Sequence, residues 1–160
     1  STEMLLTNDD IEITIPTGSL ISTAKFLKYS YKKIIGSKSI IQTIKSFLNT
    51  PYLWGGKTKF GTDCSGFVQS VFKTINVVLP RDACEQYKYG KEIDSDFKLG
   101  DLAFFGKSHK KITHVGILID STKIVHAYGV VRIDKFTSEG IYNNEEKRIT
   151  HILQKVQRVN

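Results

Sequence analysis

The stretch that decides the fold is residues 63–75, which read DCSGFVQSVFKTI. Its apolar side chains recur at helical spacing on one face, at Phe67, Val68, Val71, Phe72 and Ile75. Asp63, just ahead of them, is the type of residue that caps a helix N-terminus. A glycine-rich loop, residues 54–61, comes immediately before. We therefore predict an amphipathic helix that begins at Asp63 or Cys64, directly after a loop.

The segments around this helix predict an α+β domain. Residues 39–50 have a helical pattern that ends before Pro51, because the residue before a proline is pushed out of helical geometry. A third, shorter helix is predicted at residues 81–89. Strands are then predicted at residues 102–105, 114–119, 123–127, 130–133 and 149–156. Helices first and a run of antiparallel strands afterwards are typical of this fold class.

The first 36 residues have a different pattern. Ile11, Ile13 and Ile15 alternate with polar residues and predict a strand, which a turn at residues 16–18 closes. Residues 21–36 show weak periodicity, and we interpret them as a connection. We therefore divide the chain into an N-terminal extension, residues 1–36, and a main domain, residues 37–160.

Length and composition limit the class of protein. A chain of 160 residues that is 40% hydrophobic and 24% charged is typical of a globular domain with one core. No apolar run reaches the roughly 18 residues that cross a bilayer, and the first residues lack a signal-peptide pattern. The net charge of +7 favours an anionic neighbour, yet no nucleic-acid-binding motif is present. We predict no membrane span and no nucleic-acid partner.

Cys64 falls where the loop meets the predicted helix. A helix N-terminus carries about half a positive charge, which favours a thiolate and lowers the pKa of a thiol. The thiolate is the reactive form, so this position suits a nucleophile. A buried cysteine that only packs the start of the helix is the alternative, and position alone does not separate the two. With Cys84 the chain has two cysteines, too few for a disulfide framework.

Two histidines lie on strands that a turn at residues 120–122 joins into a hairpin. Antiparallel pairing around that turn brings His114 close to His126. A base together with a group that orients it is what an activated nucleophile requires. Metal binding is the alternative, but Cys64 and these two histidines lack the ligand spacing of a zinc site. We interpret His109 and His151 as surface residues.

Six motifs resemble, in the same order, those of the NlpC-type peptidoglycan endopeptidases, a papain-like family of bacterial cell-wall cysteine peptidases. They read PYLWGG at 51–56, DCSGFV at 63–68, LPR at 79–81, GDLAFF at 100–105, THVGI at 113–117 and VHA at 125–127. DCSG alone would be a weak signal. Six motifs in the family's order are a specific one, and they cover about residues 39–133.

The resemblance implies catalytic roles for three residues. Cys64 matches the family's nucleophile, His114 matches its base, and His126 matches the polar third member that orients the base. Cys84 falls where the family commonly has a small residue, and no role transfers to it. The implied fold is papain-like, with helices packed on an antiparallel sheet, and no metal or organic cofactor is implied.

Five further residues match positions on the substrate side of the family's cleft. Asp63 and Ser65 match positions that help to hold a free amine, and Tyr52 resembles a tyrosine that lines the same cleft. Trp54 is expected to form a wall of the cleft, with a core tryptophan as the alternative. Arg81 matches a position that is either close to the substrate or part of a salt bridge in the loop.

The implied reaction is hydrolysis of the γ-D-glutamyl–diamino acid bond in peptidoglycan stem peptides or their fragments. The implied location is the cell envelope or the outside of the cell, with cytoplasmic recycling as the alternative. The basic surface is expected to attract anionic cell-wall polymers. Residues 1–36 resemble the end of a bacterial SH3-like barrel, but they are too few for a complete one.

Two other functions remain open at this point. The first is a wall-binding or structural module that kept the fold without the chemistry. The second is a thiol acyltransferase that uses the same cysteine and histidine on another acceptor. The presence of all three catalytic-type residues argues against the first, and the WGG and DCSG motifs favour a hydrolase over the second.

Overall fold

The computed structural model describes residues 40–159 in full and, before them, the backbone of three short strands. These are β1 (Met4–Asn8), β2 (Ile11–Ile15) and β3 (Ser30–Lys32), which pair antiparallel in the order β2-β1-β3. The strand expected at residues 11–15 is present. β3 lies in the stretch that we interpreted as a connection, so that interpretation was wrong there. The turn expected at residues 16–18 lies outside the described residues.

Three helices come before the main sheet: α1 (Ile40–Phe47), α2 (Cys64–Lys73) and α3 (Ala83–Gln86). α2 begins where expected, because Asp63 is extended and its carboxylate accepts a hydrogen bond from the Gly66 N–H. α2 ends before Ile75, close to Asn76, whose φ of 63° is left-handed. α3 has four residues and is shorter than expected. Among the described residues, no helix is long and apolar enough to span a bilayer.

The main sheet has seven strands in the order β11-β10-β9-β8-β7-β12-β6. Their bounds are β6 (Lys91–Glu92), β7 (Leu102–Ser108), β8 (Lys111–Leu118), β9 (Lys123–Tyr128), β10 (Val130–Phe136), β11 (Gly140–Asn143) and β12 (Arg148–Arg158). Neighbouring strands are antiparallel, and β11 pairs with both β10 and β12. Strands β7 to β12 therefore close into a ring. The five predicted strands are confirmed, whereas β6 and β11 were not expected.

A small ladder forms inside the loop that leads to α2. It pairs β4 (Lys57–Thr58) with β5 (Gly61–Thr62). The residue just before β4 must be glycine, because a Cβ on Gly56 would lie 2.4 Å from the carbonyl oxygen of Gly61. Thr62 also pairs with Tyr52 through a single parallel bridge. The loop is thus folded back on itself, and it delivers Asp63 and Cys64 to the start of α2.

Apolar side chains fill both faces of the ring. On the outer face, α2 packs against β8 and β9 through residues that are 0% exposed: Phe67, Val68, Val71, Val115, Ile117 and Val125. The second core is formed by Ala103, Phe105, Leu118, Ile124, Phe136, Ile141 and Val156. Successive residues of a strand point to opposite faces, so one strand supplies both cores. The expected α+β fold, with helices packed on an antiparallel sheet, is confirmed.

Candidate active site

Cys64 is the first residue of α2 and is buried. Its sulfur accepts a hydrogen bond from the backbone N–H of Val115, the residue after His114, and this contact favours the thiolate. Burial acts more strongly, and with the nearby Asp63 carboxylate it raises the pKa of the Cys64 thiol. The expected lowering of this pKa by the helix N-terminus is therefore wrong in direction. At neutral pH the sulfur carries its proton and needs a base to become reactive.

His114 on β8 and His126 on β9 meet as the hairpin predicts. Nε2 of His114 lies 2.8 Å from Nδ1 of His126, and the two rings are nearly perpendicular at 88°. Gly116 makes room for this contact, because a Cβ there would lie 3.0 Å from the Cβ of His126. The pair is enclosed by the protein, since His126 is 0% exposed and His114 is 6% exposed.

Asp134 on β10 fixes which nitrogen of each histidine carries a proton. Its Oδ2 lies 3.1 Å from Nε2 of His126 and, as a carboxylate, can only accept. His126 therefore has its hydrogen on Nε2, and its Nδ1 accepts the Nε2–H of His114. The Nδ1 of His114 is left with a free lone pair. This chain of contacts leaves one imidazole nitrogen ready to take a proton.

The charge state of these groups follows from burial. Burial lowers the pKa of His114 well below its ordinary value, and the neighbouring His126 and His151 act in the same direction. Burial also lowers the pKa of His126, although Asp134 opposes the shift. For Asp134, burial alone would raise the pKa, but hydrogen bonds from His126 and Arg132 outweigh it and lower the pKa. At neutral pH both imidazoles are neutral and the carboxylate is charged.

His151 on β12 is part of the same cluster. Its ring stacks on that of His114, with centroids 4.1 Å apart and planes at 30°. Burial lowers the pKa of His151 to about 4. The interpretation of His151 as a surface residue is therefore wrong. His109 is exposed, as expected, and its Nδ1 lies 2.6 Å from the Tyr87 hydroxyl.

Asp63 has more partners than a helix cap alone requires. Its Oδ1 accepts from the Gly66 N–H at 2.7 Å, and its Oδ2 accepts from the Gly55 N–H at 2.8 Å. The guanidinium of Arg81 donates to both oxygens and, at 2.9 Å, to the Ser65 hydroxyl. Burial would raise the pKa of Asp63, but the hydrogen bonds from Arg81 and the two N–H groups outweigh it and lower the pKa. The salt-bridge alternative for Arg81 is thus present in the structure.

Two neighbouring cavities lie at the site, one beside Cys64 and the other beside the histidines. A cavity of about 390 Å³ is lined by all the expected substrate-side residues together with the sulfur-bearing one: Tyr52, Trp54, Asp63, Cys64, Ser65 and Arg81. A second cavity, of about 360 Å³, is lined by His114, His151 and Tyr128. Tyr52 and Thr113 line both. Trp54 is 86% exposed, so the alternative of a core tryptophan is wrong.

The sequence reasoning missed two members of the cluster, Asp134 and His151. Asp134 follows the predicted strand 130–133 directly, and its alternation with Arg132 could have placed it beside the hairpin. His151 reaches the cluster because β12 pairs with β7 and β11, which no local pattern indicates.

Both cysteines are free thiols in the structure, Cys64 buried and Cys84 exposed.

A buried thiol at a helix start, packed on an antiparallel sheet that carries two hydrogen-bonded histidines, is the arrangement of the papain-like fold. The model of the NlpC/P60 family matches residues 49–151, more than half of the chain. A probable endopeptidase, an NlpC homolog of Haemophilus influenzae, is 34% identical over 135 residues, covering 79% of this chain and 72% of the relative. The chain belongs to the NlpC/P60 family.

The chain is also similar to a second curated protein and to a solved structure. A γ-D-glutamyl-L-lysine dipeptidyl-peptidase of Bacillus subtilis is 47% identical over 94 residues, 57% of this chain. The matched part spans only 32% of that relative's length. The crystal structure of an NlpC/P60 family protein from Bacillus cereus matches with a TM-score of 0.70 and 20% identity, over 98% of this chain and 60% of that one. At that identity the likeness shows the fold alone.

Proposed function

We propose that this protein is a cysteine peptidase that hydrolyses peptidoglycan stem peptides at the γ-D-glutamyl–diamino acid bond. The observation that carries the proposal is the series of contacts from Asp134 through His126 to His114, on the strand whose next residue, Val115, has its backbone N–H at the buried Cys64 sulfur. These contacts give His114 a neutral Nδ1 that can accept a proton. A cysteine with a purely structural role would not require such a base. Similarity to relatives named as endopeptidase and γ-D-glutamyl-L-lysine dipeptidyl-peptidase supports it.

The first half of the reaction forms an acyl-enzyme. Nδ1 of His114 takes the proton of the Cys64 thiol while the sulfur attacks the γ-carbonyl carbon of the substrate. Backbone N–H groups at the start of α2 stabilise the oxyanion that develops. His114, now an imidazolium, passes its proton to the leaving amine as the C–N bond breaks. His126 and the charged Asp134 stabilise that imidazolium, because its Nε2–H points along the same chain of contacts.

The second half releases the acid. A water molecule gives a proton to Nδ1 of His114 and attacks the thioester carbon. The C–S bond then breaks, and the proton returns to the sulfur of Cys64. The thiol and the imidazole rest uncharged at neutral pH, because burial raises the pKa of the thiol and lowers that of His114. General-base catalysis, with proton transfer during the attack, is therefore the form of activation we propose.

The 390 Å³ cavity is the proposed binding site for the stem peptide. Asp63, Ser65 and Tyr52 hold the free amine at the start of the peptide, and Trp54 forms an exposed wall. Arg81 shares the Asp63 carboxylate, so an ammonium group is held by a carboxylate that already has a cationic partner.

Residues 37–160 form the peptidase unit and residues 1–36 an extension. We place the protein in the cell envelope or outside the cell, near anionic wall polymers.

The test is to incubate the protein with L-Ala-γ-D-Glu-diamino acid peptides and to identify the products by mass spectrometry. We expect a dipeptide ending in D-glutamate and a free diamino acid or its remaining peptide. The Cys64→Ser variant should give neither. Binding of the peptide without any cleavage would indicate a wall-binding module instead. Transfer of the γ-glutamyl group to an added amine, in place of water, would indicate an acyltransferase.

A further inference from the structure

The histidine cluster contains more imidazoles than a base and its orienting partner need. The ligand atoms of His114, His126 and His151 all lie within 4.8 Å of one another. The proposed mechanism uses the first two only. His151 reaches them from β12, on the far side of β7 from His114, and it faces the 360 Å³ cavity. Its role is therefore an open question within the site.

In each ring, one nitrogen remains for the cluster once the contacts with groups outside the three histidines are taken. His126 uses Nε2 for Asp134, which leaves Nδ1 as its inner atom. His151 uses Nδ1 for the Thr150 hydroxyl at 2.9 Å, which leaves Nε2. His114 presents Nε2, the atom that meets His126. Asp134 and the Thr150 hydroxyl, by holding the outer nitrogens of His126 and His151, orient these two rings as hydrogen-bond partners commonly orient histidines that bind a metal ion.

The spacing is close to that of a tetrahedral site. Two nitrogens at about 2.0–2.1 Å from Zn²⁺ stand roughly 3.3 Å apart, and the inner atoms of His114 and His126 are 2.8 Å apart. Ring centroids of histidines on one such ion are about 5 Å apart. The centroids here are separated by 5.0 Å for His114 and His126 and by 5.6 Å for His126 and His151. The stacked pair, with centroids 4.1 Å apart and planes at 30°, must part by about 1 Å and tilt, because the lone pair of a ring nitrogen lies in the plane of its ring.

We propose that His114, His126 and His151 form a reversible inhibitory site for Zn²⁺. The ion enters from the 360 Å³ cavity, replaces the hydrogen bond between His114 and His126, and takes a water molecule as its fourth ligand. No proton is released overall, because the hydrogen of His114 moves from Nε2 to Nδ1. That tautomer has no lone pair on the nitrogen that deprotonates the thiol. From the sequence we disfavoured a zinc site, because we took Cys64 as the third ligand and His151 as a surface residue.

The inhibition rests on the proposed peptidase function, but the binding of the ion does not, so the two are measured separately. Calorimetric titration of the metal-free protein with Zn²⁺ should give saturable binding of one ion per chain. The His151→Phe variant keeps a stacked ring but loses a ligand, and its affinity should fall at least about tenfold. His109→Phe, which removes an exposed histidine, is the matched control and should bind like the wild type. Cys64→Ser should also bind, because the sulfur is not a ligand.

In the activity arm, Zn²⁺ should stop peptide cleavage and a chelator should restore it. His151→Phe should require at least about tenfold more Zn²⁺ for half-inhibition, relative to its own metal-free rate. Three results would overturn the proposal: no saturable binding by the wild type, an unchanged affinity in His151→Phe, or loss of binding in Cys64→Ser. If the ion binds as described and no peptide is ever cut, the proposed function fails while the metal site stands.

Discussion

Nε2 of the buried His126 lies 3.1 Å from Oδ2 of Asp134, at the opposite end of the ring from the nitrogen that meets His114. Because the carboxylate only accepts, this one contact sets the tautomer of both histidines. A carboxylate two strands away from the proposed base thus decides where that base has its lone pair. In our proposal the arrangement extends the catalytic triad by one residue and makes Asp134 a positioning residue.

We first predict that Asp134→Asn lowers kcat by roughly 10²–10⁴-fold with little change in KM. The amide can donate to Nε2 of His126, which reverses both tautomers and puts a hydrogen on the nitrogen that should receive the thiol proton. Glu145→Gln is the control, because Glu145 contacts the same arginine, Arg132, from the exposed side. Steady-state kinetics and a thermal melt of each variant make the comparison. Normal kcat in a folded Asp134→Asn protein would refute the positioning role.

The second prediction is that Cys64 is the only essential thiol. Cys64→Ser should abolish cleavage while the melting temperature stays close to the wild type, since the smaller hydroxyl fits the same space. Cys84→Ser should keep most of the activity, because Cys84 is exposed and, although it lines the cavity, the proposed mechanism gives it no role. Titration of free thiols in the unreduced, active protein should find both cysteines. Cleavage by Cys64→Ser at the normal rate would exclude the proposed mechanism.

The third prediction separates the roles of the two histidines. His114→Ala should be as inactive as Cys64→Ser, because the thiol loses its base and the leaving amine loses its acid. His126→Ala should retain measurable activity, as substitutions of an orienting residue often do. Single-turnover assays with a large amount of enzyme would detect the residual rate. Equal and total loss in both variants would mean that His126 does more than orient His114.

The fourth prediction concerns the amine of the substrate. A charge-assisted contact with Asp63 is worth about 1.5–3 kcal/mol, or about 10- to 150-fold in selectivity. Because Arg81 already shares this carboxylate, we expect the lower end, about a tenfold preference for a free over an acetylated N-terminus. Competition between the two peptides, followed by mass spectrometry, measures the ratio. Equal cleavage would leave Asp63 with its capping role alone and favour intact wall as the substrate.

The fifth prediction is a pH dependence of stability at the same carboxylate. Hydrogen bonds from Arg81 and two N–H groups lower the pKa of Asp63 in the folded state below its ordinary value near 3.8. Its contribution to the free energy of unfolding is therefore complete above about pH 5 and is lost as the pH falls through the folded-state pKa. Asp63→Asn keeps a capping side chain but loses the charge.

We accordingly expect Asp63→Asn to be less stable than the wild type by about 1–3 kcal/mol at pH 7. The difference should shrink as the pH falls below about 4, where the unfolded chain takes up a proton at this position, and should vanish below the lower folded-state pKa, where the folded wild type is neutral there too. Chemical denaturation at a series of pH values gives both curves. Asp94→Asn, at an exposed carboxylate outside the site, is the comparison. A difference that stays constant down to pH 2 would show that the charge of Asp63 does not contribute.

Local patterns were sufficient to predict much of this fold. The α2 helix with its Asp63 cap follows from helical spacing and from one capping side chain, both of which act within a single turn. The contact between His114 and His126 follows from a short hairpin, because its register, with Ile117 opposite Val125, makes the two histidines diagonal neighbours on one face of the sheet. The five expected substrate-side residues all line the 390 Å³ cavity, since the family motifs keep them within about one loop and one helix of Cys64, whereas Ile112 of β8, which also lines it, was not expected.

The pKa of Cys64 is a case in which the local argument gave the wrong direction. The helix N-terminus does provide N–H groups that favour a thiolate, as the sequence predicts. Burial beneath the loop and against β8 has the larger effect, and burial is a property of the packed molecule. The extent of desolvation cannot be read from the residues next to a cysteine.

The sequence by itself therefore determined the helix that presents Cys64, the hairpin that joins two histidines, and the motifs that place the chain near a peptidase family. Only the tertiary structure decided that β11 and β12 close the sheet into a ring and bring His151 against His114, 37 positions away in the chain. Short-range periodicity reports which face of an element is buried, but it carries no information on which distant strand will pair with it. Closure of the ring is set by the packing of the second core, in which Phe105, Ile141 and Val156 from three strands must fit together at once.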